Sequence, residues 1–184
     1  MIAWVPQRSE TPFEWTVQDM VSMGRHPYRG RRLTDREPDR RAVETALARV
    51  GLADLADRPV GTLSGGEWQR ALVARAIAQE ARLLLLDEPV ASLDLGYQRQ
   101  IYELVRDMCR EHGIAVVAAD HHVDLQAIFC HRLVLMHEGR VVVQGRPEEV
   151  LRADVLEPVY RTPLAVTTSA DTGRPSVRWR FRGE

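Results

Sequence analysis

Residues 62–94 constrain the fold more than any other stretch, because they join a glycine turn, an apolar helix and an apolar strand in that order. Ser64 is a favoured N-cap residue, and Gly65 and Gly66 lack the side chains that would keep backbone N–H groups away from an anion. A helix that begins there points its positive end outward, so the turn is predicted to bind phosphate. The helix should cover about 67–81 and should be buried, because it is apolar on nearly every side.

A run of four leucines at 83–86 follows the helix and is continuous rather than alternating. Such runs are typical of strands that are covered on both faces of a parallel sheet. Asp87 and Glu88 come directly after the run, at the end of the strand where open α/β sheets bind their ligands. Two adjacent carboxylates that close a buried strand are costly without a cation, so a metal-binding role is favoured over a charged strand end.

Apolar periodicity and turn residues predict the other elements. Thr16 and Asp19 form a capping-box pattern that opens a short helix, and Gly24 should stop it. After the leucine run, the chain predicts an amphipathic helix, a second apolar strand, a hairpin with glycine in its turn and an alternating, half-buried strand. The helix should end at residues 112–113, and the later elements should cover 114–119, 133–143 and 177–181.

Three motifs together resemble the nucleotide-binding subunit of an ABC transporter: LSGGEWQR at 63–70, LLLLDEP at 83–89 and SLD at 92–94. They correspond to the signature motif, the Walker B strand and the D-loop of that family, in the usual order. A glycine pair or an acid pair alone would favour a turn or a solvated strand end, but three linked motifs reverse that preference. Glu67 stands where the family usually has Gln and keeps the position polar.

The resemblance implies an α/β fold of the P-loop NTPase-like, ABC type. Its parts are a parallel sheet core, a small helical lobe and a C-terminal β-hairpin. Residues 1–184 would then be one truncated nucleotide-binding domain, with the helical lobe at about 16–61 and the core and C-terminal part at 1–15 and 62–184.

All 25 basic residues are arginine, and this has a direct consequence for nucleotide binding. A P-loop needs G-x-x-x-x-G-K-[ST], because its lysine reaches the terminal phosphates and its hydroxyl holds Mg²⁺. The planar guanidinium group does not replace a compact ammonium group. The N-terminal strands and the P-loop of the family are therefore expected to be absent, and the chain alone is expected to bind ATP poorly and to hydrolyse it negligibly. A start assigned too far downstream, a truncated reading frame and a relic gene all fit this pattern.

The resemblance also assigns roles in ATP hydrolysis. Gln7 begins the Q-loop and senses the metal and the attacking water. Asp87 holds Mg²⁺ through water, and Glu88 is the general base.

Two adjacent histidines follow the apolar run at 114–119. An isolated histidine pair favours a metal site or a solvated loop, but a metal site here lacks further ligands at suitable spacing. Counting back from Arg132, which matches an arginine of the family before its next strand, places His121 on the family's switch position. His121 would then position water and the γ-phosphate, and His122 replaces the usual aspartate.

ABC sites are composite, because each nucleotide lies between the P-loop of one subunit and the Ser-Gly-Gly turn of the other. The resemblance assigns the nucleotide-binding half of such a site to Ser64, Gly65, Gly66, Glu67 and Asp94, with ATP and Mg²⁺ as the ligands. The implied partners are a second nucleotide-binding subunit, in a homodimer or a heterodimer, and transmembrane permease subunits. A substrate-binding protein takes part indirectly.

The segment VSMGRHP at 21–27 is similar to importers of iron chelates, haem and cobalamin. The expected function is thus that of the ATPase subunit of an importer for an iron-siderophore, haem or cobalamin. Two alternatives stay open: a non-catalytic partner that supplies only the signature half of a site, and a zinc or manganese importer ATPase. Chromosome-structure and repair ATPases are disfavoured, because the chain has no long heptad segment.

Composition limits the partners and the compartment. A net charge of -1, with acids interleaved in the arginine-rich stretch at 24–41, argues against nucleic acid. Cys109 and Cys130 fit neither a disulfide framework nor a zinc spacing, which favours a reducing cytosol. No apolar run reaches membrane-spanning length. The expected location is the cytoplasmic face of the cell membrane, held there through the permease.

Overall fold

The structure is a computed structural model that describes residues 1–7, 14–28, 37–91 and 93–180, apart from the side chain of His112. These residues belong to two compact units, Met1–Ala119 and Asp120–Glu184. Phe181, in the alternating strand predicted near the C-terminus, and Ser92, in the SLD motif, lie outside the described residues.

The first unit combines a small parallel sheet with helices. The sheet has the order β1-β2-β3, and β2 pairs in parallel with both neighbours. The elements are β1 (Ile2–Val5), α1 (Val17–Ser22), a 3-10 helix (Met23–Tyr28), α2 (Glu37–Arg49), short 3-10 helices at Ala53–Leu55 and Val60–Thr62, α3 (Gly65–Ala78), β2 (Leu83–Asp87), α4 (Leu95–His112) and β3 (Ala115–Ala119).

Helix α3 is the centre of the helical part of this unit, where α1 and α2 both pack against it. Its predicted burial is confirmed for most of its length, since nine of its residues are buried. The capping box of α1 is also confirmed, because the Thr16 hydroxyl accepts from Asp19 N–H and the Asp19 carboxylate accepts from Thr16 N–H. Helix α1 ends at Ser22 with Met23 as its C-cap, within one residue of the predicted end, but Gly24 does not end helical structure, because the chain continues as the 3-10 helix Met23–Tyr28.

Among the residues that the structure describes, the sheet of the first unit is covered on one face only. Ala3, Val5, Leu84 and Leu86 are buried, whereas Ile2 and Trp4 on the opposite face of β1 are 57% and 59% exposed. In register with Trp4 across the sheet, Leu85 is half-buried and Val117 is 59% exposed. The sequence pattern of continuous apolar residues predicted cover on both faces, and this was wrong for the described residues.

The second unit is built from antiparallel strand pairs and short helices. Its elements are α5 (Val123–Phe129), β4 (Leu133–His137), β5 (Arg140–Gly145), α6 (Pro147–Val150), α7 (Ala153–Tyr160), β6 (Leu164–Thr168) and β7 (Pro175–Trp179). Strand β4 pairs with β5, and β6 pairs with β7. The core contains residues from both strand pairs and from within or next to the helices of this unit: Ala127, Leu133, Val150, Leu151, Leu156 and Leu164.

The predicted hairpin is confirmed as β4 and β5, and its turn residues Glu138 and Gly139 both have positive φ. Such two-residue turns match the twist of the strands that they join. The predicted C-terminal strand is also present, as β7. Its alternation predicted a buried Trp179, but that side chain is 72% exposed.

Among the helices of the described ranges, none has both the length and the apolar character needed to cross a lipid bilayer. The division of the chain into a helical lobe and a core with a C-terminal part stays a prediction.

Candidate functional site

The Ser-Gly-Gly turn forms the start of α3. Ser64 has an extended backbone and is the N-cap, and its hydroxyl accepts a hydrogen bond from Glu67 N–H at 3.2 Å. Gly65 and Gly66 are the first two helical residues. The predicted N-cap is confirmed, and the helix begins two residues earlier than expected. The backbone N–H groups of this first turn have no partner in the preceding turn of helix, which is the property that lets a helix start bind an anion.

The Glu67 side chain already places one anion at this turn. Its carboxylate accepts from Ser64 N–H at 2.7 Å, and Arg58 lies 3.4 Å away. These hydrogen bonds from Ser64, together with the weaker attraction of Arg58, hold the pKa of Glu67 below its usual value. The turn is thus preformed. The Ser64 hydroxyl can still donate a hydrogen bond while it accepts one from the helix.

At the carboxyl ends of β1 and β2, the structure brings Gln7 and Glu88 together. The Gln7 amide Nε2 donates to Glu88 Oε2 at 2.5 Å, across 81 positions of sequence. Glu88 N–H donates to the carbonyl of Ala119, the last residue of β3, at 2.8 Å. Its φ is 46°, a left-handed value that is uncommon for residues with a Cβ. The hydrogen bond to Ala119 therefore holds the backbone of Glu88 in a strained, left-handed conformation next to the carboxylate.

Asp87 is the last residue of β2 and lies in register with Ala119. It is half-buried, next to Glu88 in the chain. Carboxylate and amide oxygens of this kind suit Mg²⁺, which uses few protein ligands and keeps several waters. The donor groups of Asp87, Glu88 and Gln7 therefore fit the predicted metal.

Asp94 has a local role in the structure. Its carboxylate accepts from Tyr97 N–H at 3.0 Å and so caps the start of α4. A capping carboxylate is held in one orientation while its second oxygen stays available. Its predicted action on a partner's site stays a prediction.

In the second unit, the two histidines lie in the bend that leads into α5. His122 Nδ1 is 2.5 Å from Asp120 Oδ1, and the two imidazole centroids are 4.3 Å apart. The Asp120 side chain is fully buried, whereas the His121 and His122 side chains are 63% and 27% exposed. The histidine that has its ring held by a short contact is therefore His122, and His121 Nδ1 lies 3.9 Å from the same oxygen.

Sequence reasoning missed Asp120 as a partner of the histidines. One local pattern could have indicated this contact. An acidic residue follows an apolar strand and stands two positions before a histidine, in a segment that must bend to start a helix. Asp120 also accepts from the backbone N–H of His122 at 2.9 Å. Side chains that bond backbone N–H groups two residues ahead are common in such bends.

Comparison with known proteins finds similarity to ATP-binding proteins of ABC transporters. The family model described as ABC transporter matches residues 1–91. The cobalamin import ATP-binding protein BtuD of Halobacterium salinarum is 47% identical over 176 residues, which cover 96% of this chain and 44% of that protein. The ferric enterobactin transport ATP-binding protein FepC of Escherichia coli is 35% identical over 176 residues, which cover 96% of this chain and 65% of that protein.

The solved structures agree in fold. An inward-facing ABC transporter described as of metal-chelate type superposes with a TM-score of 0.86 at 28% identity, over 98% of this chain and 72% of that chain. The chain thus spans between 44% and 65% of the length of the two curated relatives.

Proposed function

The chain belongs to the family of ABC transporter ATP-binding domains, and from this premise we propose that it is the ATP-binding subunit of an importer. The proposed cargo is cobalamin, an iron-siderophore or haem, because the relatives named for import of such compounds align with nearly all of the chain. Its partners would be a second ATP-binding subunit and a permease in the membrane. The chain would then lie at the cytoplasmic face, and ATP hydrolysis would drive uptake.

The contact between Gln7 and Glu88 is the observation that carries this proposal. A proton acceptor must be held within reach of the water that it activates, and a hydrogen bond from a neighbouring amide can fix its orientation. Gln7 Nε2 donates to Glu88 Oε2 at 2.5 Å, and the backbone of Glu88 is anchored to Ala119. The motif residues of two distant segments therefore meet at the edge of the sheet where α/β proteins bind ligands.

In the proposed mechanism, Glu88 accepts the proton of the attacking water. Asp87 would hold Mg²⁺ through water, and the ion would supply positive charge that offsets the charge of the nucleotide phosphates. Gln7 orients Glu88 and exchanges its contact when nucleotide arrives. His121, in the second unit, would contact the γ-phosphate, and its side chain is 63% exposed.

Ser64, Gly65, Gly66 and Glu67 form the half of the site that this chain offers to a partner subunit, together with Asp94. The support is the turn at the start of α3, where Ser64 is the N-cap and its hydroxyl accepts from Glu67 N–H at 3.2 Å. This half needs the P-loop of a partner subunit opposite it. The chain's own site lacks a P-loop, because the 184 residues contain no lysine. We therefore propose that the 184-residue chain alone binds ATP poorly and hydrolyses it negligibly.

Equilibrium titration of the 184-residue chain with a fluorescent ATP derivative and Mg²⁺ tests the proposed weak binding of ATP. No saturation is expected at micromolar nucleotide. Saturable micromolar binding would show that another group replaces the P-loop lysine.

A second experiment separates an importer ATPase from a non-catalytic partner. The coding DNA upstream of Met1 is translated, and a polypeptide that includes any in-frame G-x-x-x-x-G-K-[ST] is assayed for ATP hydrolysis. In such a polypeptide Glu88→Gln should lower kcat by about 100-fold or more, because the general base is lost. Glu44→Gln, at an exposed position on α2, is the matched control and should leave kcat unchanged. If no such motif precedes Met1 in frame, the non-catalytic alternative is favoured.

A further inference from the structure

We propose that Asp120, His121 and His122 form a binding site for a divalent transition-metal ion of the Zn²⁺ class. The three residues lie in the bend between β3 and α5 and provide one carboxylate and two imidazoles. One ligand atom of each lies within 4.8 Å of the others. The site shares His121 with the proposed ATPase function, but it would bind a different metal and no nucleotide, so metal binding can be tested separately.

The bend is held in place by several hydrogen bonds. Asp120 Oδ1 accepts from His122 N–H at 2.9 Å, and the Asp120 carbonyl accepts from the Gln126 side chain. Val123 N–H donates to the His121 carbonyl, and Gln126 N–H donates to the His122 carbonyl, both at 3.0 Å. These bonds fix the backbone of the short segment that carries the three ligand groups, which lowers the entropy lost when a metal binds.

The burial of Asp120 distinguishes this cluster from an ordinary exposed group of acids. Its side chain has no exposed surface, whereas His122 and His121 are progressively more exposed. A buried carboxylate needs a donor or a cation nearby. In the structure that need is met by His122, whose Nδ1 lies 2.5 Å from Asp120 Oδ1. A metal ion could take the place of the proton between these two atoms, with His121 as the third ligand on the solvent side.

The donor set selects the kind of metal. Two imidazole nitrogens and one carboxylate suit Zn²⁺, Co²⁺ and similar ions, whereas Mg²⁺ and Ca²⁺ prefer oxygen ligands only. Nitrogen and oxygen ligands of such ions lie about 2.0–2.2 Å from the metal, so the contact between Asp120 and His122 has to lengthen when the ion enters. Three protein ligands leave a further position for water or a fourth group.

The test is titration of the untagged 184-residue chain with Co²⁺, followed by visible absorption, and with Zn²⁺, followed by calorimetry. One ion is expected to bind per chain. His121→Ala should weaken binding by at least about tenfold, because a ligand is lost. His121 is largely exposed, so this substitution should leave the fold intact, as circular dichroism would confirm.

His131→Ala is the matched control, since His131 is also an exposed histidine and lies outside the cluster. It should bind Zn²⁺ like the wild type. His122→Gln provides the second variant and should also weaken binding by at least about tenfold. Absence of stoichiometric binding would overturn the proposal, and so would equal binding by wild type, His121→Ala and His122→Gln. Because the readout involves no nucleotide, its failure would leave the proposed ATP-binding function untouched.

Discussion

At the residue scale, the carboxylate of Glu67 makes the stability of the start of α3 depend on pH. Its carboxylate accepts from Ser64 N–H and its pKa is lowered by that contact. A group whose pKa is lower in the folded chain stabilises the fold above its unfolded pKa, and the contribution is lost as pH falls through the folded pKa.

The free energy of unfolding of the wild type should therefore exceed that of Glu67→Gln most clearly near pH 7. The difference should shrink as the pH falls below the ordinary range of a glutamate. Urea unfolding of both proteins at several pH values between neutral and acid measures this. A difference that stays constant with pH would show that the charge of Glu67 is not involved.

Arg25 is the most connected buried cation among the described residues. It is 6% exposed, donates to Asp39 at 2.8 Å, to Glu80 at 2.6 Å and to the Ala78 carbonyl at 2.8 Å, and lies over the ring of Tyr28. Arg25→Ala leaves the Ala78 carbonyl and a half-buried carboxylate without this donor.

The expected loss for Arg25→Ala is about 2–3 kcal/mol in the free energy of unfolding, measured by chemical denaturation. Arg40→Ala serves as the control, since Arg40 pairs with Glu37 on the exposed face of α2. Exposed pairs contribute less than about 1 kcal/mol, so that variant should remain close to the wild type. Similar losses in both variants would contradict the role given to burial.

At the scale of elements, Gly24 allows the 3-10 helix Met23–Tyr28 to pack closely on α3. A Cβ at this position would lie 2.3 Å from the carbonyl oxygen of Arg75 and 3.3 Å from Ala78 Cβ. The close neighbour is backbone, so it cannot move away as a flexible side chain could.

Gly24→Ala should lower the free energy of unfolding by about 1–3 kcal/mol, because the two helices must separate. Gly61→Ala is a matched control, since a Cβ there would meet nothing within 4 Å. That variant should be neutral or slightly more stable. Thermal unfolding of the two variants decides the point, and a neutral Gly24→Ala would show that the helices shift apart at little cost.

The sequence predicted elements well where local residues determine them. Thr16 and Ser64 were identified as N-caps from side-chain chemistry alone, and both are N-caps in the structure. The end of α3 was placed three residues too late, since the chain turns at Glu80 with φ 49°. The cover of the sheet was not predictable from the leucine run, because exposure depends on which elements pack on each face. The exposure of Trp179 was not predictable for the same reason.

At the scale of the whole molecule, each unit has its own core. Leu156 is fully buried in the core of the second unit, where the buried residues of the apolar cluster described by the structure lie between 127 and 164. Leu156→Ala should destabilise that unit by about 2–5 kcal/mol, through lost burial and the cavity that is left.

Hydrogen exchange of backbone amides tests this prediction, because it measures the loss of protection separately in each strand. Protection should fall in β4 and β5 and stay unchanged in β2, because β2 belongs to the first unit. Val134→Ala, at a position that is 55% exposed, is the control and should change protection little. Equal loss in β2 would indicate that the two units unfold together.

The candidate site shows the limit of sequence reasoning at this scale. Gln7 and Glu88 are 81 positions apart, and no local pattern connects them; only the resemblance to a family gave both a common role. Asp120 was overlooked because its contact with His122 depends on the bend after β3. Long-range contacts and bends become visible only when the backbone is known.

The left-handed backbone of Glu88 has an evolutionary consequence. A side chain at such a φ costs about 1 kcal/mol or more, and glycine would remove that cost. In a laboratory lineage propagated only for thermal endurance, codon 88 should therefore drift to glycine. A lineage selected for the proposed hydrolysis of ATP should retain the acid, and the difference between the two lineages would measure the stability that this position loses for activity.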